Sequence, residues 1–468
     1  MTYDMVIRNG YVVDPRNGVN GKKDIAVEDG KIVAIEDVIE NAKEVIDVKG
    51  NLVIPGVIDI HTHMTRLLGG PLGYKMMAQT GVTTAIDFAG PIADIVEHLG
   101  TMGCGLNVGG LEGLIPGLPG RRINTNNPSP TEIERTLETS LADGAIGFKL
   151  MGGHYPLTPE ATEEAILQAN KHRVMVAFHA GTTASASDMT GMREAIKLAK
   201  NKKILLAHIN AYCRGNVDHP LEELKEALNI LIKNDNIFSE SHLALINGTS
   251  GYCENGVPKS GVTQMSLRRL GFKVTEEGVG EAILAGVAKV HKKVGGMNTL
   301  VSGEEGYNYW RSHQTDTGLS FPMNLPTVAV GCVVERVKPG GDFIIDMHST
   351  DGGGIPRNNL VGRLMALVKL GYITLEEMVY KISYNPAKMF GLLGKGHLGI
   401  GADADITVVD LDSGEASMTI VNGKVIMVDK VVVGQGGQLI VTDHGINAAK
   451  KHGLDYQVCD LSHSMLYV

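Results

Sequence analysis

Two histidines one residue apart, His61 and His63 in Asp59-Ile60-His61-Thr62-His63, are the first residues whose types could do chemistry. They directly follow the apolar run Val57–Ile60, which reads as a strand. The two-residue period of a strand puts both imidazoles on one face, where they form half of a metal site. Alone, such a pair is as compatible with surface or core histidines. Further residues of the right types follow other apolar runs. Lys149 lies at the end of Ala145–Leu150, His179 follows Val174–Phe178, and His208 follows Ile204–Ala207. Asp351 stands in His348-Ser349-Thr350-Asp351-Gly352, just beyond Phe343–Asp346. Four imidazoles, an amine and a carboxylate in equivalent places point to a metal centre.

The elements that must position them recur with one rhythm. Apolar runs at Val57–Ile60, Val82–Phe88, Leu106–Leu111, Ala145–Leu150, Val174–Phe178, Ile204–Ala207, Asn236–Ser239 and Phe343–Asp346 make eight. Stretches of helical period lie between several of them, such as PTEIERTLETSLADG, with Ser129 as its N-cap and Gly144 beyond its end. This predicts an α/β fold, a (β/α)8 barrel over 56–394, whose active site sits at the C-terminal strand ends. The six residues above would then converge on one mouth. About a hundred residues separate the last two runs, so an insert at 244–341 should carry helices, including TQMSLRRLGF and VGEAILAGVAKVHKKVGG, and could fold over the mouth. Residues 1–55 and 395–435 are strand-rich, with hairpin signals at Asn9-Gly10, Asp29-Gly30 and Asn422-Gly423. Together they should form a small composite β-sandwich. The tail 436–468 reads as an oligomer contact or a strap, with a helix in INAAKKHG.

Composition removes other classes. The chain of 468 residues is 43% apolar and 20% charged, with a net charge of −9. It is globular, and nothing in it favours nucleic acid or a membrane surface. Five scattered cysteines without a C-x-x-C pair predict a reducing, cytoplasmic setting. The acid at Asp4 and the absence of a long apolar stretch predict neither a signal peptide nor a transmembrane helix.

PGVIDIHTH, GVTTAIDF and YNPAKMFGLLGKGHLGIGADADITVVD resemble, as a set, motifs of the metal-dependent amidohydrolase superfamily, and the resemblance runs over roughly residues 4 to 430. It implies a barrel with a composite β-sandwich and one or two divalent metals in the mouth. Lys149, in GFKLMGG, matches the lysine that the two-metal branch carries as a carbamate, N6-carboxylysine, bridging both ions. By the same carry-over His61 and His63 hold the buried ion, His179 and His208 the exposed one, and Asp351 touches the buried ion and the bridging water. Zinc suits this set, as do other divalent metals. Asp346 competes with Asp351 for the eighth-strand role, and His348 lies near the same strand end. The resemblance makes Asp351 the proton carrier and leaves the oxyanion donor open between His154 and Tyr155, because hydantoinase-type relatives have a tyrosine at position 154. Glu240 and His242, at the seventh strand end, are candidate substrate contacts, as are Tyr212, Arg214 and Arg357. Related enzymes are commonly homo-oligomers, dimers or tetramers.

The expected reaction is hydrolysis of a carbon–nitrogen bond other than a peptide bond, in a small cyclic amide or ureide, by a metal-bridging hydroxide. The runner-up is an N-acyl-D-amino-acid deacylase, which the layout and long insert also resemble. A heterocycle deaminase ranks third, since His208-Ile209-Asn210-Ala211 lacks the glutamate of an H-x-x-E motif. A catalytically silent scaffold is the non-enzymatic alternative.

Overall fold

A computed structural model describes residues 2–337 and 340–468. The two strand-rich ends form one nine-stranded sheet. Its first part is β1 (Tyr3–Asp14), β2 (Val19–Glu28), β3 (Lys31–Glu36), β4 (Ala42–Asp47) and β5 (Leu52–Pro55). The two ends meet where β5 runs antiparallel to Ile406–Val409, pairing Val53 with Val408. Ile7, Val53, Leu398, Ile406 and Ile420 fill one core there, drawn from both ends. Asp29-Gly30 and Asn422-Gly423 make the expected hairpins. Asn9-Gly10 does not. β1 continues through it with a shift of register against β2 between Ile7 and Gly10, and Asn9 takes a left-handed φ of 59°. This is a bulge rather than a turn. A side chain at Gly10 would start 2.7 Å from Val53 Cγ2, so glycine is needed where the strand crosses its neighbour.

Between the ends lie parallel strands with intervening helices. β6 (Val57–His63), β7 (Val82–Asp87) and β8 (Leu106–Gly110) pair in order. β9 (Glu112–Leu114) leads a second sheet through β10 (Gly147–Met151), β11 (Met175–His179), β12 (Ile204–Leu206) and β13 (Ile237–His242) to Met347–Ser349. The two sheets share chain at both junctions. β8 and β9 are separated by one residue, and Gly352–Gly353, just past Met347–Ser349, pairs in parallel with Thr62 and His63 of β6. The helix Pro130–Ala142 starts as expected, with Ser129 and Glu132 in a reciprocal cap.

The eighth strand is displaced from its expected run. Phe343 pairs only with Arg336 in an isolated bridge, and its ring lies under the Arg336 guanidinium and the Lys381 ammonium. Phe343 packs beneath two cations, Ile345 enters the hydrophobic core, and the strand forms only at Met347–Ser349.

The insert follows β13. Helices Gly261–Arg269 and Glu276–Leu284 form where expected, but the second ends early. Lys289–Val294 turns at Gly295-Gly296 into an antiparallel hairpin with Met297–Val301. The β-branched and charged alternation of KVHKKV, followed by two glycines, overrides the helical reading. Leu267, Ile283, Val290, Trp310 and Phe321 give the insert its own core.

The tail differs from its expectation as well. It contains the helix Ile446–Lys451, but Gly437–Val441 lies parallel to β8 and Asp455–Val458 extends the same sheet. Leu439 and Val441 are buried in the core that holds Leu106 and Val108. The tail is thus packed within its own chain, and its presence gives no reason to expect a partner.

Lys395, 2% exposed, joins the two regions: its Nζ lies 2.7 Å from Asp405 Oδ2 and 2.9 Å from Asp403 Oδ2. Asp405 also accepts from Asn107 of β8 and from the Asn422 backbone. Removing the ammonium leaves buried Asp405 without its cation and Asp403 with Lys31 alone. Lys395→Ala should therefore cost about 3–5 kcal/mol, read as a lowered urea midpoint. An unchanged midpoint would contradict this role.

Candidate metal centre

β6 is buried along its whole length, so its alternation is set by packing. Asp59, His61 and His63 share a face. Asp59 Oδ1 accepts from the backbone N–H of His61 and of Thr350, each at 3.2 Å, and Oδ2 accepts from Thr350 Oγ1 at 2.5 Å. Burial raises the Asp59 carboxyl to about 7. These bonds lash the segment before Asp351 to β6. His63 Nε2 lies 2.8 Å and His61 Nε2 3.4 Å from Asp351 Oδ1. One ligand atom from each of the three groups falls within 4.8 Å of the others. Burial works to raise the Asp351 carboxyl, but Arg357 and the two imidazoles hold it well below the usual carboxylate range.

Beside this trio, His208 Nε2 and His179 Nδ1 approach to 3.1 Å. Burial, above all, holds His61, His179 and His208 well below the ordinary histidine range. Neutral imidazoles are the ligand form. Two rings are held at their other nitrogens: His61 Nδ1 by Glu240 Oε1 at 2.7 Å, and His179 Nε2 by Ser187 Oγ at 2.7 Å, the serine itself lining the cavity. A Cβ at Gly153 would sit 2.0 Å from His179 Nε2, so only glycine admits that ring. His208 and Asp351 both hold left-handed φ values, 36° and 50°. Such strain in residues other than glycine persists where the surroundings demand it.

Lys149 extends from β10 into the same space. Its Nζ is buried without a hydrogen-bond partner, 4.6 Å from the centroid of Phe88. Burial draws its ammonium down to about 8, against the pull of Glu240 and Asp351. An amine stranded among imidazoles is out of place as a cation. The remaining donors are nitrogen and carboxylate oxygen, the set that binds divalent transition metals. These residues fit such ions.

The structure thus brings His61, His63, Lys149, His179, His208 and Asp351 to one cavity. His154 also lines it, its ring perpendicular to His179 at 5.5 Å, and burial pulls its imidazole down to about 4. Tyr155 is half-buried, outside the cavity wall. Asp346 is not a member either: its Oδ2 accepts from the Ser239 backbone at 2.8 Å. Buried His348 bonds Ser241 Oγ through Nδ1.

Three expected substrate contacts have other partners. Glu240 lies behind the ligands, accepting from the His208 N–H at 2.6 Å and Ser349 Oγ at 2.6 Å besides His61. Tyr212 is buried, and its hydroxyl accepts from the Ala180 N–H at 2.9 Å. His242 Nε2 stands 3.7 Å from Asp351 Oδ2, outside the cavity wall, and burial pulls it down to about 3. Arg214 and Arg357 do line the cavity. Sequence reasoning missed Asp59 and Ser187. Asp59 carried a usable signal, since it shares the parity of His61 and His63. Ser187 carried none.

Residues 334–435 match the model of the Amidohydrolase family. A dihydroorotase of Streptococcus pneumoniae is 24% identical over 436 residues, covering 87% of this chain and 90% of its own. The structure of a D-aminoacylase, described for its binuclear metal centre, superposes with a TM-score of 0.65 at 18% identity, covering 93% of this chain and 99% of that one. A dihydropyrimidinase from Brevibacillus agri does so with a TM-score of 0.60 at 17% identity, covering 92% and 97%. The chain thus carries a segment that matches the Amidohydrolase family model, and its similarity to these relatives runs along most of its length.

Proposed function

We propose that this chain is a metal-dependent hydrolase that opens a cyclic amide or ureide at its carbon–nitrogen bond. The observation that carries the reading is the buried, partnerless Nζ of Lys149 among four imidazoles and Asp351. Carboxylation of Lys149 would turn that stranded cation into an anion able to bridge two ions. His61, His63 and Asp351 would hold one ion, His179 and His208 the other, with zinc the favoured metal. When bound, such ions supply water activated at neutral pH and polarise the amide carbonyl. The strand pairing supports a closed (β/α)8 barrel around this site, and the joined ends support a composite β-sandwich beside it.

The chain's own residues do the rest. Asp351 accepts a proton from the attacking water and delivers it to the leaving nitrogen. Arg357 keeps it ionised until then. His154, neutral and facing the cavity, donates its N–H to the oxygen that becomes negative after attack. Glu240 and Ser187 fix the rings of His61 and His179, which keeps the ligand nitrogens turned inward.

The deacylase reading is supported by the likeness to D-aminoacylase. Assays of cyclic ureides beside N-acyl amino acids separate the two. The substrate is a small molecule, and no helix among the described residues is long and apolar enough to cross a membrane. The free cysteines, four of them buried, support a cytoplasmic setting. A homo-oligomer, dimer or tetramer, is retained on the resemblance alone; light scattering tests it.

Protein grown with ample zinc should hold about two equivalents of metal per chain. Lys149→Ala should lose metal and activity together. One equivalent of metal, with Lys149 unmodified by mass spectrometry of the native protein, would refute the two-ion reading. Asp351→Asn keeps size but cannot accept a proton, so kcat should fall at least about 10²-fold. Near-normal turnover in that variant would remove Asp351 from the proton path. His154→Ala should lower kcat by about 10²–10³-fold with little change in KM. Tyr155→Phe should change neither, and a large loss there would reverse the assignment.

A further inference from the structure

The cavity of the four imidazoles is small. Its volume is about 60 Å³, room for about four waters, against roughly 300–1,000 Å³ for pockets that hold an organic ligand. A second cavity of about 560 Å³ adjoins it, between the segment after β6 and the insert. Ile355, just past Asp351, lines both. Its side chain lies flat on Gly248, where a Cβ would sit 2.6 Å from Ile355 Cδ1. The backbone around it is pinned. The Gly354 N–H donates to the His63 carbonyl at 2.7 Å, and the Gly354 carbonyl accepts from Asn298 Nδ2 at 2.7 Å. The Ile355 carbonyl accepts from the Arg357 N–H at 2.8 Å. What can turn between the two cavities is therefore the isoleucine side chain, by a change of staggered well.

The second cavity is polar and balanced in charge. His291, Asn298, Tyr309 and Thr317 line it, and the buried Thr317 hydroxyl has no hydrogen-bond partner. Arg66 is spent on Asp94, its Nε 2.8 Å from Oδ1, while Lys293 and Asp316 bring one charge of each sign. Such a lining suits hydrogen-bonding groups without net charge.

We propose that the second cavity is part of the substrate site and that Ile355 sets how far a substrate reaches. The amide lies at the imidazoles, and an extended, uncharged, hydrogen-bonding arm passes Ile355 into the larger space. This deepens the hydrolase reading and rests on it for the identity of the bond cut. The passage itself rests on Ile355 and on the two volumes it divides.

Isothermal titration of the purified protein with hydantoin, and with the same ring carrying a neutral diglycinamide arm, tests it. The armed ring should bind at least about 10-fold more tightly, the scale of one or two net hydrogen bonds. Ile355→Trp, which fills the passage, should erase that preference. Ile355→Ala, which leaves the passage open, should keep it. Ser250→Cys places a thiol on the wall of the second cavity by a near-isosteric change. Its alkylation by N-ethylmaleimide, followed by peptide mapping, should slow at least about threefold with the armed ring and not with the bare one; this variant decides the matter if Ile355→Trp does not fold. Equal binding of the two rings by wild type overturns the proposal. So does a preference that survives in folded Ile355→Trp, one lost equally in Ile355→Ala, or alkylation that the armed ring does not slow. Preference and protection without ring opening would sink the hydrolase reading and leave the second cavity's role standing. Equal binding and equal opening of both rings would do the reverse.

Discussion

A single buried carboxylate, Glu240, sits where the parallel strands must agree. It accepts from His61 on β6, from the backbone of His208 after β12, and from Ser349 on the neighbouring strand. Taking a carboxylate out of water costs several kcal/mol unless its lone pairs are filled. Here three donors fill them, so the charge is tolerable only when these strands stand in this register. The same bond sets chemistry. With Nδ1–H given to Glu240, His61 is left with a lone pair on Nε2, the nitrogen nearest Asp351. One interaction therefore fixes both the assembly of the site and the tautomer of a ligand.

The strain in the site follows from the same constraint. His208 must supply a backbone N–H to Glu240 and a ring nitrogen toward His179, and a left-handed φ satisfies both. Asp351 must reach His61 and His63 while its carbonyl accepts from Arg357, with the same outcome. Such conformations are held by packing and by bonds made elsewhere, here those of Asp59 and Thr350.

The chemistry-bearing residues were legible because strands alternate. An apolar run followed by a polar residue marks a strand's C-terminal end, and that rule named His61, His63, Lys149, His179 and His208, which the fold brings to one cavity. It failed at the eighth strand, where Phe343 packs under Arg336 and Lys381 and Ile345 enters the hydrophobic core before the strand begins. It also named Glu240, His242 and Tyr212, which are buried outside the cavity wall. Position along a strand says which end a side chain is near. It does not say whether the side chain points into the cavity or behind the ligands. The bulge at Asn9-Gly10 was unreadable for a related reason: the same dipeptide serves a turn or a bulge, and close packing on Val53 decides between them. The tail's place beside β8 depends on contacts over three hundred residues apart in sequence, as Gln438 with Asn107 illustrates.

The division between strands and insert has a consequence for how such a site changes. The imidazoles, Lys149 and Asp351 of the cavity sit on or beside strands that share one buried network, so altering one disturbs several. Val262 and Met265 belong instead to a helix of the insert, whose core of Leu267, Ile283, Trp310 and Phe321 is separate. A substitution on that wall reshapes the cavity without touching Glu240 or Asp59. Arg214 lies between the two regimes. It follows the sixth strand, yet Asn324, which aims it, lies within the insert and bonds back to the Ala244 carbonyl after β13. The orientation of its guanidinium thus depends on how the insert is closed off, so this part of the cavity wall can change while the residues on the strands stay in place.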